Sequence, residues 1–133
     1  MSIRPVSGLD HVGIFVRSLS GAAEIYGRLG LQVEQVTQFR RANGREVRIG
    51  IIPLAHGVKL ELIEDPEALD AGVQPLNHIC FEVQDIKSQL DQLRDEGVPL
   101  EDQEPRRGVL SSSIAFLDSA AADGVRIELA QDD

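Results

Sequence analysis

The sequence is poor in aromatic side chains: of its 133 residues four are Phe, one is Tyr and none is Trp. A pocket that holds its ligand by stacking needs more rings than this, so a protein that only sequesters a flat, drug-like molecule is disfavoured. Cysteine is scarcer still. The single Cys80 excludes an internal disulfide and points to a reducing cytoplasm. No apolar run reaches the roughly 20 residues of a membrane span, and the opening MSIRPVSGLD has no apolar core of the kind that marks a secretory signal, so no membrane association is expected. Positive charge is in the minority, with 13 Lys and Arg against 22 Asp and Glu and a net charge of −9. Such a field repels a phosphate backbone, which argues against nucleic acid as a partner. The one basic concentration is FRRANGREVR, with Arg40, Arg41, Arg45 and Arg48. It reads as a solvated hairpin; the alternative is a patch for one phosphate or carboxylate of a small molecule, too small for a duplex.

What the sequence does contain is a repeat. An offset of 67 residues carries His11 to His78, Val12 to Ile79, Ile14 to Phe81 and Val16 to Val83. With no gap it carries Leu19 to Ile86, Gly30 to Gly97 and Leu31 to Val98, and then VKLEL at 58–62 to VRIEL at 125–129. His11 precedes Glu61 by 50 residues, and His78 precedes Glu128 by the same 50.

Each copy reads as βαβββ. HVGIFV alternates as a strand, and SLSGAAEIYGRLG spaces Leu19, Ala22, Ala23, Tyr26 and Leu29 as a helical stripe closed by Gly30. LQVEQVTQF and REVRIGIIPL are strands on either side of an Asn43-Gly44 turn, and VKLELIE is the last strand. In the second copy Asp85 is placed to cap IKSQLDQLRDEG, whose stripe is Ile86, Leu90 and Leu93, and strands are expected near VPLED, SSSIAFL and VRIELAQ. The expected fold is α+β: two tandem βαβββ modules, about 8–65 and 76–131, within a single domain spanning 1–133. EDPEALDAGVQP, with Pro66, Gly72 and Pro75, is the short linker.

Side chains alternate along a strand, so His11 shares a face with Gly13 and Phe15 while Val12, Ile14 and Val16 face the helix. By the same rule Glu61 lies opposite Leu60 and Leu62, and Glu128 opposite Ile127 and Leu129. A carboxylate mid-strand among buried residues is costly unless it is paired or binds a metal. Two imidazoles and two carboxylates at one repeat frame suit a single divalent ion: Co, Ni, Mn, Zn or Fe rather than calcium or magnesium alone. Two carboxylates also cancel the ion's charge. A hydrogen-bonded His–Glu pair within each module is the alternative; it explains the burial but not the identical spacing. His56 has no histidine counterpart and is expected in a solvated turn, and Cys80 reads as a small residue beside a ligand.

The pieces LDHVGIFV, VKLELIE, LNHICFEV, EPRRG and GVRIEL resemble the vicinal oxygen chelate superfamily, over residues 9–131. Within it the wording is most similar to the methylmalonyl-CoA epimerases and next to glyoxalase I. The resemblance implies a curved-sheet or half-barrel pair built from the two modules. It also implies His11, Glu61, His78 and Glu128 as metal ligands, and Glu128 as the group that moves a proton beside a metal-chelated carbonyl. The implied activity is that of a metal-dependent isomerase or lyase, epimerase-like. The alternatives are a glyoxalase I-like lactoylglutathione lyase, a ring-cleaving dioxygenase and a non-catalytic binding member. The implied partners are a small oxyacid, an acyl-CoA or a thiol adduct, and a second copy of the chain in a homodimer. Some epimerases carry a second acid/base glutamate where Arg48 stands here, and an arginine there is expected to hold a substrate carboxylate. Arg106 and Arg107 of EPRRG are expected to clasp an anionic substrate tail.

Overall fold

A computed structural model describes residues 5–41 and 43–132. They divide into two compact units, His11–Asn77 and, among the described residues, 5–10 with 78–132. In chain order the elements are β1 Gly8–Val16, α1 Leu19–Gly27, β2 Gln35–Arg40, β3 Glu46–Pro53, β4 Lys59–Glu64, α2 Pro66–Asp70, β5 Leu76–Glu82, α3 Ile86–Asp95, β6 Ser113–Phe116 and β7 Arg126–Gln131. The class is α+β, as the periodicities imply.

In the first unit the strand order is β2-β3-β4-β1. β1 runs parallel to β4, and the other pairs are antiparallel. Ser18 caps α1, its Oγ accepting the Gly21 N–H at 2.8 Å. Leu19, Ile52 and Leu62 form the buried cluster, with Ile14, Val16, Ala22 and Tyr26 packed against it, so Ile14 and Val16 of β1 do face the helix. Burying Leu62 completely is worth about 1.5–3 kcal/mol. The helix is shorter than its apolar spacing predicts. It stops at Gly27, and Gly30 reverses the chain at φ 82°, with the Leu31 N–H closing on the Tyr26 carbonyl at 3.1 Å. That reversal turns Leu29 out to 72% exposure, and it leaves the stripe. The segment read as a bare linker holds α2, because Asp65 caps it through the Ala68 N–H and Pro66 needs no donor there.

In the second unit β5 pairs in parallel with β7, and β7 antiparallel with β6. Asp85 caps α3 through the Ser88 N–H as expected. Val83, Ile86, Leu90, Ala115, Leu117 and Leu129 form its core, with Leu93 packed against them. The strand expected near VPLED is absent as a strand. Its remnants are two isolated bridges, Leu100↔Leu117 and Arg106↔Ile114. Pro99 and Pro105 remove ladder donors, and the Asp102 carboxylate takes the Phe116 N–H at 2.9 Å in place of a backbone partner.

Candidate metal centre

In the first unit His11 is 2% exposed and Glu61 6%. The β1–β4 register sets His11 opposite Lys59 and Gly13 opposite Glu61, so imidazole and carboxylate share one face of neighbouring strands, two residues out of step. Ile51 stands across from Glu61 on β3, and Ile49, Val47 and Ile63 continue that face, all buried. The opposite face carries Leu60 and Leu62 into the core under α1.

The second unit repeats the arrangement. His78 is 4% exposed and Glu128 5%, and His78 Nε2 lies 3.2 Å from Glu128 Oε1. Cys80 is the register partner of Glu128, and with Ile114, Phe116 and Ala130 it forms an apolar wall on that face. Phe116 meets the His78 ring edge-on, with centroids 5.6 Å apart at 82°. A buried imidazole nitrogen against a buried carboxylate oxygen is half of the donor set that a borderline divalent ion takes. The first unit's His11 and Glu61 supply the same two donor types, so the residues fit the group.

The predicted arginines fall differently. Arg48 pairs across strands with Glu64, on the face of Leu60 and Leu62 and away from Glu61. There its Nη1 is 3.8 Å from Glu64 Oε1, and it lines a cavity of about 370 Å³ with Gln38, Arg45, Glu46, Glu64 and Glu67. Glu46 shares that face and binds Arg40 at 3.0 Å. The Glu61 side of β3 therefore presents Val47, Ile49 and Ile51, with no acid or base. Each guanidinium of the basic hairpin has a carboxylate partner. Arg41 lies 3.4 Å from Asp65, and Arg45 lies 2.5 Å from Asp65 and 2.7 Å from Glu67. The Glu67 hydrogen bond, opposed by burial and helped by Asp65, raises the Arg45 guanidinium above its ordinary value. Arg106 does reach the second unit's site face, with its guanidinium 5.6 Å from the Phe116 centroid and bound to Asp102 at 3.0 Å. Arg107 is exposed. His56 is exposed in a left-handed turn at φ 64°, and the 67-residue offset pairs it with Asp123 at φ 55°.

Sequence reasoning passed over two residues. Arg126 lies 3.7 Å over the Phe116 ring and grips Glu101 with both Nε and Nη2. The signal was present in the repeat, which pairs Lys59 with Arg126 two residues before each glutamate. Phe116 had no such signal, because its counterpart under the offset is Ile49.

The fold and this donor set define a class. Residues 10–116 match the Glyoxalase/Bleomycin resistance protein/Dioxygenase superfamily, and the chain belongs to it. It is 34% identical over 134 residues to the uncharacterized protein YqjC of Bacillus subtilis (strain 168), covering 92% of this chain and 91% of that one. Among solved structures it is similar to methylmalonyl-CoA epimerase from Mycobacterium tuberculosis, with a TM-score of 0.82 and 27% identity over 100% of this chain and 93% of that chain. It is also similar to a methylmalonyl-CoA epimerase in complex with methylmalonyl-CoA and NH4+, with a TM-score of 0.78 and 26% identity over 96% of both chains. Among the described residues no helix is long and apolar enough to cross a membrane.

Proposed function

We propose that this protein is a divalent-metal-dependent isomerase that moves a proton on the carbon beside a carbonyl, with an acyl-CoA thioester of a small diacid as substrate. The observation that carries this reading is the buried His78–Glu128 pair at 3.2 Å, in a chain whose solved relatives include epimerases of methylmalonyl-CoA. His11, Glu61, His78 and Glu128 are the proposed ligands of one ion of the Co, Ni, Mn, Zn or Fe class. The reading is the same whether the two His–Glu pairs come from one chain or from two copies in a homodimer. A bound ion would supply Lewis-acid stabilisation of the negative charge that grows on the carbonyl oxygen. Glu128 takes the proton from one face of the carbon, which becomes planar, and the carbon is inverted when a proton is returned to the opposite face. Cys80, Ile114, Phe116 and Ala130 keep water from the transfer.

The test is proton exchange. Protein loaded in turn with Co, Ni, Mn, Zn and, without oxygen, Fe(II) is incubated with methylmalonyl-CoA in D2O, and the C2 proton is followed by NMR. Washout dependent on the metal supports the reading. No washout with any of the five ions sinks it.

One observation favours a second reading. With no carboxylate on the Glu61 side of β3, a single base would serve both proton steps, as suits a lactoylglutathione lyase-type 1,2 shift in a glutathione hemithioacetal. Conversion of the methylglyoxal–glutathione adduct, with methylmalonyl-CoA left untouched, would select it.

A further inference from the structure

We infer that Arg126 is a latched receptor for a substrate carboxylate beside the His78–Glu128 pair, and so a specificity-determining residue of the proposed site. The inference rests on the reading above that this pair handles substrate. Its ground is the placement of Arg126 within the second unit. The β5–β7 register makes Arg126 the direct neighbour of His78, and its position two residues before Glu128 puts it on the same face. His78 and Glu128 are buried, whereas the Arg126 side chain is 31% exposed, so it is the open polar end of a closed site.

The guanidinium is held ready for an anion. Phe116 supports it at 3.7 Å, and Glu101 engages it at 3.1 Å through Nε and 2.6 Å through Nη2. A guanidinium presents a planar fork that fits one carboxylate at a time in this bidentate form. Glu101 occupies that fork from an exposed position, 42% accessible, where an ion pair with a protein carboxylate adds little to stability. A substrate carboxylate brought in beside His78 exchanges for Glu101 at small cost. Arg106 stands 5.6 Å from the same ring and is engaged by Asp102, so the unit holds two guanidiniums on one aromatic platform. The acid side chains also keep these cations compatible with a metal close by. Under the 67-residue offset the first unit has Lys59 at the Arg126 position but Ile49 at the Phe116 position. The cation recurs and the platform does not, which makes the second unit the one that selects a planar anion.

Malonate is the probe, titrated calorimetrically into wild type, Arg126→Leu and Glu101→Gln, each with and without Mn. Wild type binds malonate; Arg126→Leu weakens that binding roughly tenfold or more, the loss expected of a charge-assisted bidentate contact, while taking up Mn as wild type does. Glu101→Gln removes the competitor and tightens malonate about threefold by freeing the fork. Unchanged affinity in Arg126→Leu, or no malonate binding by wild type, overturns the proposal. Circular dichroism checks the fold, and Glu101→Gln remains informative if Arg126→Leu misfolds: there an unchanged affinity overturns the latch. Metal content and C2 proton exchange are measured on the same samples. A protein that exchanges protons yet ignores Arg126 refutes only this inference, and one that binds malonate through Arg126 without metal or exchange refutes the parent reading.

Discussion

In His11–Asn77 the strand β3 has eight residues and is paired on both sides, whereas in the second unit β6 has four, and of the two bridges left on its outer side only Arg106↔Ile114 falls within the strand. That bridge stands where the 67-residue offset carries the Phe39↔Val47 pair of β2 and β3. The pairing position is kept although the strand is not. What the two units hold in common lies at the ends of their helices. The Leu19 N–H donates to Glu64 Oε2 at 2.8 Å, and its counterpart, the Ile86 N–H, donates to Gln131 Oε1 at 2.8 Å. Gly30 and Gly97 both adopt φ 82° and close matching reversals, Leu31 onto Tyr26 and Val98 onto Leu93. The edge strand is free to erode because it buries little: five of the six residues of β2 are exposed. The inner strands carry the core on one face and the His–Glu positions on the other, so a change there is felt twice.

The sharpest way to break this likeness is chemical. Glu128→Gln should lower proton exchange by about 10²–10⁴-fold, whereas Glu61→Gln, which keeps a ligating oxygen, should stay within about tenfold at saturating metal. Equal losses in the two variants would remove the special role given to Glu128. Next comes the core. Leu62→Ala and Leu129→Ala should each cost about 2–5 kcal/mol in urea unfolding, since both residues are buried beneath their helices. A loss confined to one of them would mean that the second unit's helix–sheet packing is not the equivalent of the first.

Smaller effects sharpen the comparison further. Ser18→Ala and Asp85→Ala each remove an N-cap acceptor and should cost about 0.5–2 kcal/mol. Thermal unfolding of the two single variants measures whether α1 and α3 depend on their caps alike. At the low end, Arg40→Ala breaks an exposed pair with Glu46 and should change stability by less than about 1 kcal/mol. A larger loss would show that the β2–β3 edge matters more than its exposure suggests.

Much of the fold was legible because its local signals agree with the tertiary outcome. The alternation in HVGIFV, the cap Asp85, and the stripe Ile86, Leu90 and Leu93 all act within one element, and the structure keeps them. Leu29 and the VPLED strand were misread for one reason: each depends on what comes next in space. Leu29 is carried outward by a reversal three residues beyond the helix end, and the strand near VPLED lost its ladder to prolines and to the Asp102 side chain. The linker's helix needed a cap whose carboxylate is also steadied by Arg41 and Arg45, residues more than 20 positions away in sequence or close to it. At the candidate site His11, Glu61, His78 and Glu128 were visible as a repeat. Arg48 was not placeable, because a one-residue difference in register moves a side chain to the other face of the sheet.

By itself the sequence determined the α+β class and the burial of one imidazole and one carboxylate in each half of the repeat. These follow from composition and from periods of two and 3.6 residues, which any stretch of chain carries with it. Only the tertiary structure decided that Arg48 turns from Glu61 toward Glu64, that Glu128 comes within 3.2 Å of His78, and that Arg126 rests on Phe116 in the grip of Glu101. Those outcomes depend on strand register and on which side chains meet across strands, and both are properties of pairing that no single segment contains.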